Sequence, residues 1–411
     1  MESLMSFRCR SCGSGSGHMV LDLGVQPLAN NLLRPSDLAR VEPRFPLRLA
    51  LCQECLLLQI TDVVPPVDLF SDYLYFSSVS DALLQHSAAA VQSHRERQPL
   101  DGRSLVIEIA SNDGYLLRNF VAAGIPCLGI EPAANIARVA IERGVPTLNR
   151  FFSLELAREL AADGRSADLI LGNNVFAHVP DTNDFVAGLA ALLKPTGRVA
   201  LEFPYAGDMF EHAEFDTIYH EHVFYFTLLS LQPLFARHRM EVIDVERLSI
   251  HGGTLRLHVA HRGAHPVSPA VHALLAEERS RGMDRPSWYD RLGDHVRRIR
   301  ADLLSLLARL KSEGCRIAAY GASAKGSTLL NFYGLGSETL DFVADRSAAK
   351  QGRLTPGTHL PIVPVEALQE RRPDYALLLT WNFAEEILRQ QQAYRDAGGR
   401  FIVPLPEVRV I

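Results

Sequence analysis

Three groups of residues in this chain have types and spacings that can do chemistry. The first is Cys9-x2-Cys12 with Cys52-x2-Cys55, two knuckles 39 residues apart. Such turns can bring four thiolates tetrahedrally onto one zinc ion. A four-thiolate shell leaves no open coordination position, so the expected work of the metal is folding rather than catalysis. The second group is the polar-aromatic stretch Glu202-Phe203-Pro204-Tyr205, followed by Phe215 to Phe226, FDTIYHEHVFYF. Histidine titrates close to neutrality and suits proton transfer, and a tyrosine hydroxyl can hydrogen-bond a developing enolate. In a strand, His220 and His222 would share a face. That also suits a metal, although no third ligand stands at a defined spacing. A packed aromatic loop without chemistry would have the same composition. The third group is a pair of acids, Glu108 and Glu131, each at the carboxyl end of an apolar run.

Strands must carry those acids. Ser104 to Ala110, Cys127 to Glu131, Leu169 to Gly172 and Arg198 to Phe203 alternate with helical stretches, which reads as a parallel sheet with crossover helices. In Val106 to Phe120 the strand ends near Ile109, and a small-residue turn, Ala110-Ser111-Asn112-Asp113-Gly114, leads into a helix. Gly114 permits close backbone approach there. Glu131-Pro132 ends the second strand, where an acid can take both ribose hydroxyls of an adenosine. Asn173-Asn174 opens the loop after the third strand, with His178 behind it. The phosphate-cradling GxGxxG is absent, so a methyl-donor site matches this order better than a dinucleotide site. From Leu292, apolar residues at 292, 296, 299, 303, 307 and 310 mark one long amphipathic helix. The strand–helix rhythm then restarts with Arg316 to Tyr320, Leu340 to Ala344 and Tyr375 to Thr380. Its first loop, Gly321-Ala322-Ser323-Ala324-Lys325, offers backbone amides and a cation to an anion. Asp345-Arg346 ends the next strand. A nucleotide-type fold with no ligand would show the same loop. Cys127 and Cys315 stand singly in apolar strand-like contexts and are expected in the core.

The chain has 411 residues, 47% of them apolar, with a net charge of −5. That mixture is globular and gives no general signal for nucleic acid or anionic membrane. The arginines at 297, 298 and 300 read as the solvated face of the long helix. No apolar run approaches a membrane span, and MESLMSFRCR carries no apolar leader, so a cytoplasmic protein with reduced thiols is expected. The blocks divide as residues 1–70, a zinc-binding domain; 71–285, a Rossmann-like methyl-donor domain; and 286–411, a linker helix with a smaller α/β nucleotide-binding-like domain. Oligomeric state is not legible.

The four cysteines, LDLGVQPLANNLL (Leu21 to Leu33), EIASNDGYLL, TIYHEHVFYF and GASAKGSTLLNFY together resemble the sugar C-methyltransferases that use S-adenosylmethionine (SAM). These include the tetronitrose and mycarose-type 3-C-methyltransferases. The resemblance runs across essentially the whole chain in the same domain order. It implies an α/β protein with an N-terminal zinc domain, a central SAM domain and a C-terminal domain that holds a sugar nucleotide. It further implies methylation of the carbon beside the ketone of a thymidine-diphospho-4-keto-6-deoxysugar (TDP-sugar), in deoxysugar and antibiotic biosynthesis. His222 then matches the general base, with Tyr219, Glu221 and His178 beside the sugar. Asp72 to Ser78 matches the segment that closes over the site, with Tyr73 the functional tyrosine by spacing and Tyr75 a substrate contact. Glu108, Ala110, Asn112, Gly114, Glu131, Pro132, Asn173 and Asn174 would hold SAM. Tyr205, Gly321, Ser323, Lys325, Asp345 and Arg346 would hold the sugar nucleotide. No local feature fixes the acceptor, so another enolisable ketone, or a nitrogen or oxygen nucleophile, remains open.

Overall fold

The structure, a computed structural model, describes residues 7–70, 76–248 and 253–411. Tyr73, Tyr75 and His251 lie outside the described residues. The N-terminal unit is built on β1 (Gly17–Pro27), β2 (Arg44–Cys52) and β3 (Leu58–Ile60), paired antiparallel. Both cysteine knuckles make the same turn. Gly13 and Leu56, each four residues after the first cysteine of its pair, take positive φ values of 79° and 60°. Each donates its N–H to that cysteine's carbonyl at 2.9 Å. Glycine adopts this geometry freely, whereas Leu56 is held there against its preference.

The central unit contributes β4 (Val106–Ile109), β5 (Cys127–Ile130), β6 (Thr147–Leu148), β7 (Ala167–Asn173) and β8 (Leu193–Pro204), mutually parallel. Next in the chain comes β9 (Phe224–Tyr225), which leaves this sheet and pairs with β3 as the fourth strand of the zinc unit. The final pair, β10 (Met240–Leu248) and β11 (Thr254–His261), returns to the central sheet and runs antiparallel, with β11 against β8. The sheet order is β10-β11-β8-β7-β4-β5-β6. The all-parallel expectation therefore fails at one edge. The reversal also sets this sheet apart from the doubly wound dehydrogenase order.

Helix Arg291–Ser312 buries Leu292, Val296, Ile299, Leu303, Leu307 and Leu310, the stripe that the spacing predicts. It leads into β12 (Ile317–Tyr320), β13 (Val343–Ala344), β14 (Ile362–Val363), β15 (Tyr375–Leu378), β16 (Arg400–Val403) and β17 (Arg409–Val410). Their order is β14-β13-β12-β15-β16-β17, parallel except at β17. Cys127 is buried in β5, but Cys315 lies half-exposed ahead of β12. One continuous apolar core joins all three units, from Leu49 through Phe226 to Leu303 and Leu330. Among the described residues no helix is long and apolar enough to cross a membrane.

The strand order reverses beside β4 in one sheet and beside β12 in the other. Ligands of open α/β sheets bind at such switch points, beyond the carboxyl ends of the strands. The crevices lie between the loops after β4 and β7, and between those after β12 and β15.

The four cysteine sulfurs all lie within 4.8 Å of one another, with Cys9–Cys55 and Cys12–Cys52 at 3.5 Å. Tetrahedral thiolates about 2.3 Å from zinc would stand about 3.8 Å apart, so the cluster fits that ion. Purified protein is expected to carry one zinc per chain. Chelation should speed amide exchange at Val223 to Tyr225, in and beside β9, before it affects β12 or β15. Unchanged exchange there in metal-free protein would show that the β3–β9 pairing does not depend on the knuckles.

Candidate active site

The loop after β4 has the backbone of a glycine turn with few glycines. Ala110, Asn112 and Gly114 take φ values of 54°, 49° and 76°. A Cβ at Gly114 would stand 2.8 Å from Val145 Cγ2, so this position has no room for a side chain. Glu131 fixes the loop from the next strand. Its carboxylate accepts the Asn112 N–H at 2.9 Å and the Ala133 N–H at 2.8 Å. A carboxylate offers about four acceptor positions, so sites remain for ribose hydroxyls. Pro132 presents its carbonyl to Asn149, and Asn174, with φ 53°, donates its N–H to the Glu202 carbonyl beside Asn173.

Glu108 is fully buried beneath the loop. Burial, together with the neighbouring Glu131, Glu202 and Asp113, raises its carboxyl well above the usual range. Among the described residues Glu108 Oε2, Ser111 Oγ and Asp113 Oδ1 have no hydrogen-bond partner. Acids around a loop with unsatisfied polar atoms fit a ligand that brings positive charge and hydrogen-bonding groups, as the sulfonium and ammonium of SAM do. From the other side Ser77 donates its N–H to Asn112 Oδ1 at 2.9 Å, so the end of the segment at 72–78 meets this loop.

Residues 219–223 form a turn rather than a strand, and its two histidines part company. His220 turns to the zinc unit, with Nε2 3.3 Å from the Pro46 carbonyl and its ring edge-on to Phe45. His222 faces Tyr219 and His178. Its Nδ1 lies 2.9 Å from the Thr217 carbonyl and its Nε2 2.8 Å from the Tyr219 hydroxyl. A carbonyl only accepts, so Nδ1 carries the proton and Nε2 presents a lone pair, to which Tyr219 donates. Burial, then the positive charge that His178 would carry, holds His222 well below the ordinary histidine range. The His178 ring stands 4.8 Å away, its Nδ1 donating to the Glu221 carbonyl at 2.7 Å, and burial pushes it down to about 4. Both imidazoles are thus neutral bases at physiological pH. Glu221 is buried and accepts from Asn30 Nδ2 at 2.7 Å, and burial pushes its carboxyl up to about 7. Among the described residues the four cysteines alone form a cluster suited to a metal, and His220 and His222 are not part of one.

The C-terminal loop is more occupied than its sequence implies. Ser323 caps the following helix, Ala324–Tyr333, by accepting the Gly326 N–H. Gly321, with φ 92°, could carry no Cβ, which would sit 2.4 Å from Thr380 Oγ1. Asp345 accepts the N–H groups of Ala322 and Ser347, both at 2.7 Å. Lys325 turns inward, 3.5 Å from Glu214 and 4.9 Å over the Trp381 ring. Arg346 is exposed beside Glu386. Tyr205 is placed differently from the expected substrate contact. It is 1% exposed and donates its hydroxyl to Glu278 at 3.0 Å, so it is a packing residue. Thr217, Asn30, Glu214, Asp216 and Trp381 were not singled out in sequence. Asn30 lies inside LDLGVQPLANNLL, and Asp216 and Thr217 inside FDTIYHEHVFYF, whereas Glu214 and Trp381 lie outside the quoted motifs.

Comparison with known proteins accords with this geometry. The C-methyltransferase NovU of Streptomyces niveus is 40% identical over 98% of this chain and 96% of its own. The chain belongs to the C-methyltransferase family. Its residues 9–70 match a family described as a putative zinc binding domain, 84–245 a methyltransferase domain, and 249–406 a C-methyltransferase C-terminal domain. A ubiquinone biosynthesis O-methyltransferase of Bartonella tribocorum is 30% identical over 22% of this chain and 38% of its own. The SAM-bound magnesium protoporphyrin IX methyltransferase of Synechocystis PCC 6803 aligns over 43% of this chain and 79% of its own. That alignment has 14% identity and a TM-score of 0.34. This chain is a C-methyltransferase whose N-terminal unit matches a zinc-binding family and holds the four-cysteine cluster.

Glu131→Ala is expected to raise the SAM dissociation constant about tenfold or more, since two loop amides lose their acceptor. Calorimetry checks this, and an unchanged constant would place the ribose contact elsewhere. Glu221 makes a stability prediction. Its folded pKa is raised, so the protonated form stabilises the fold below its unfolded pKa of 4.5, and that stability is lost as pH rises towards about 7. Glu221→Gln does not ionise. Its melting temperature relative to the parent should therefore climb between pH 5 and pH 8, and a constant difference would contradict the buried-acid assignment.

Proposed function

We propose that this enzyme methylates the carbon beside the ketone of a TDP-4-keto-6-deoxysugar, with His222 as general base. The observation that carries this reading is the fixed tautomer of His222. The Thr217 carbonyl holds the proton on Nδ1, which leaves Nε2 as the proton acceptor.

A carbon beside a ketone is acidic only as its enolate forms. As the acceptor enters, the Tyr219 hydroxyl turns from Nε2 to the ketone oxygen, where charge grows, and Nε2 is freed for the carbon's proton. The C–H bond breaks and its proton passes to Nε2, while its electron pair goes into the enolate. When bound, SAM supplies an electrophilic sulfonium methyl to that carbon and departs as the neutral thioether. Glu131 and the loop after β4 hold the donor, so orientation supplies much of the rate. His178 keeps a neutral ring against His222, and Glu221 anchors the turn to Asn30 of the zinc unit. Tyr73, or its neighbour Tyr75, is assigned to the segment that covers the acceptor. Lys325 and the exposed Arg346, at the switch point of the C-terminal sheet, are assigned to the diphosphate. Gly321, Ser323 and Asp345 shape that crevice through the backbone. On this reading the chain works in deoxysugar assembly for a natural product.

The test is mass spectrometry with a panel of TDP-4-keto-6-deoxysugars, with and without a 3-amino group. With SAM, one acceptor should gain 14 Da (the hydrogen beside the ketone replaced by methyl). In heavy water with S-adenosylhomocysteine instead, the same position should take up one deuteron. His222→Gln should lose both reactions, by about a hundredfold or more, while keeping SAM affinity. Methylation on nitrogen or oxygen, or full turnover by His222→Gln, would overturn the proposal.

A further inference from the structure

The segment that holds His222 is gripped from the C-terminal unit. Asp216 lies in the single turn Phe215–Thr217 and has no exposed surface. Its Oδ2 accepts the indole N–H of Trp381 at 2.7 Å, while Oδ1 has no hydrogen-bond partner among the described residues. Thr328, on the helix after β12, donates its hydroxyl to the Ile218 carbonyl at 3.2 Å. Between these two contacts stands the Thr217 carbonyl, which receives both His222 Nδ1–H at 2.9 Å and the Tyr225 hydroxyl at 3.2 Å. The peptide carbonyl that fixes the His222 tautomer is thus flanked on each side by a hydrogen bond from the C-terminal sheet's switch-point crevice.

From this geometry we infer that Trp381 and Asp216 are positioning residues for the C-methyl transfer, their hydrogen bond setting the tautomer of His222 through the Thr217 carbonyl. This rests on His222 being the base. Trp381 follows β15, and the same indole lies beneath Lys325, which reaches Glu214 two residues before Asp216. The crevice wall and the base's support are therefore one set of side chains. If the indole ceases to hold Asp216, the turn is free to shift and the Thr217 carbonyl leaves Nδ1. The proton then has no reason to prefer Nδ1, and Nε2 is bare for only part of the time. Among the described residues Tyr219, His178, Tyr225 and Lys325 face His222, and the Tyr225 hydroxyl shares the Thr217 carbonyl with Nδ1.

Trp381→Phe keeps an aromatic ring and removes the N–H. In the full-length zinc-loaded protein with 15N-labelled histidine, long-range nitrogen–proton NMR reads the tautomer directly. The His222 signals are those that His222→Gln lacks. The parent should show a neutral ring protonated on Nδ1. Trp381→Phe should show a mixture of tautomers, and where an acceptor is turned over, kcat should fall about tenfold or more with KM for SAM unchanged. Asp216→Asn retains an acceptor oxygen for the indole and should keep the parent tautomer. A parent-like tautomer in Trp381→Phe overturns the inference, even if kcat falls. A mixed tautomer in Asp216→Asn would do so as well, since charge rather than the hydrogen bond would then be the device. The NMR readout needs no acceptor. A panel without a methylated product would therefore count against the function proposed above and leave this measurement standing.

Discussion

The pairing of β9 with β3 is the constraint on which the rest of the site depends. Two residues after His222 the chain enters β9, which completes the sheet of β1, β2 and β3 in the zinc-binding unit. Ile60 donates to the Val223 carbonyl at 2.9 Å, and Val223 donates to the Ala177 carbonyl at 2.8 Å. The turn carrying the histidine is therefore stretched between the zinc unit and the 3-10 turn that carries His178. Asn30 adds a side-chain tie to Glu221. A closed zinc site has no chemistry of its own to offer. Yet here it fixes the hairpin β2–β3, and the hairpin fixes the strand that ends the histidine turn. The cysteine cluster and the turn proposed to hold the base are thus joined through one strand.

Electrostatics explains why such rigid support is needed. A neutral imidazole is a good base only if its lone pair points at the proton it must take, and an unsupported ring in a desolvated pocket has no preference between its nitrogens. Burial keeps both His222 and His178 uncharged. The Thr217 carbonyl then chooses the tautomer of His222, while His178 is held between the Glu221 carbonyl and that of Asn174. On the donor side the same burial works on acids. Glu108 sits against Glu131, Glu202 and Asp113 and is driven towards its neutral form until positive charge arrives.

What was legible in the sequence was local. The knuckles announce themselves because a zinc turn is only four residues long, and the helix Arg291–Ser312 because its stripe repeats within one element. Glu108, Glu131 and Asp345 were visible as strand-end acids because apolar runs stop at them. What was not legible was where a side chain's hydrogen bonds go once distant segments meet. Tyr205 sits beside the polar-aromatic cluster in sequence, yet its hydroxyl is spent on Glu278, 73 residues away. The His-x-His pair looked like one face of a strand, but β9 begins only at Phe224, and the turn before it sends the two rings apart. Trp381 carried no signal at all, because its meaning comes from Asp216, 165 residues earlier.

The two α/β units share a device that sequence showed only as a pair of acids. Glu131 accepts one amide from the loop after the first strand and one from two residues beyond itself; Asp345 does the same. Each acid thereby holds open the crevice at its own switch point by tying the first loop down. The units differ in what lies over the crevice. The central one meets the segment entering at Ser77, whereas the C-terminal one meets Lys325, Trp381 and the turn 215–217. On the proposed function a methyl donor and an acceptor, one held from each crevice, must meet with the reacting atoms in line, so two separately built crevices need a common reference. The turn from Phe215 to His222 supplies it, because it is hydrogen-bonded to the C-terminal unit at Asp216 and Ile218 and leads directly into the strand that the zinc unit holds.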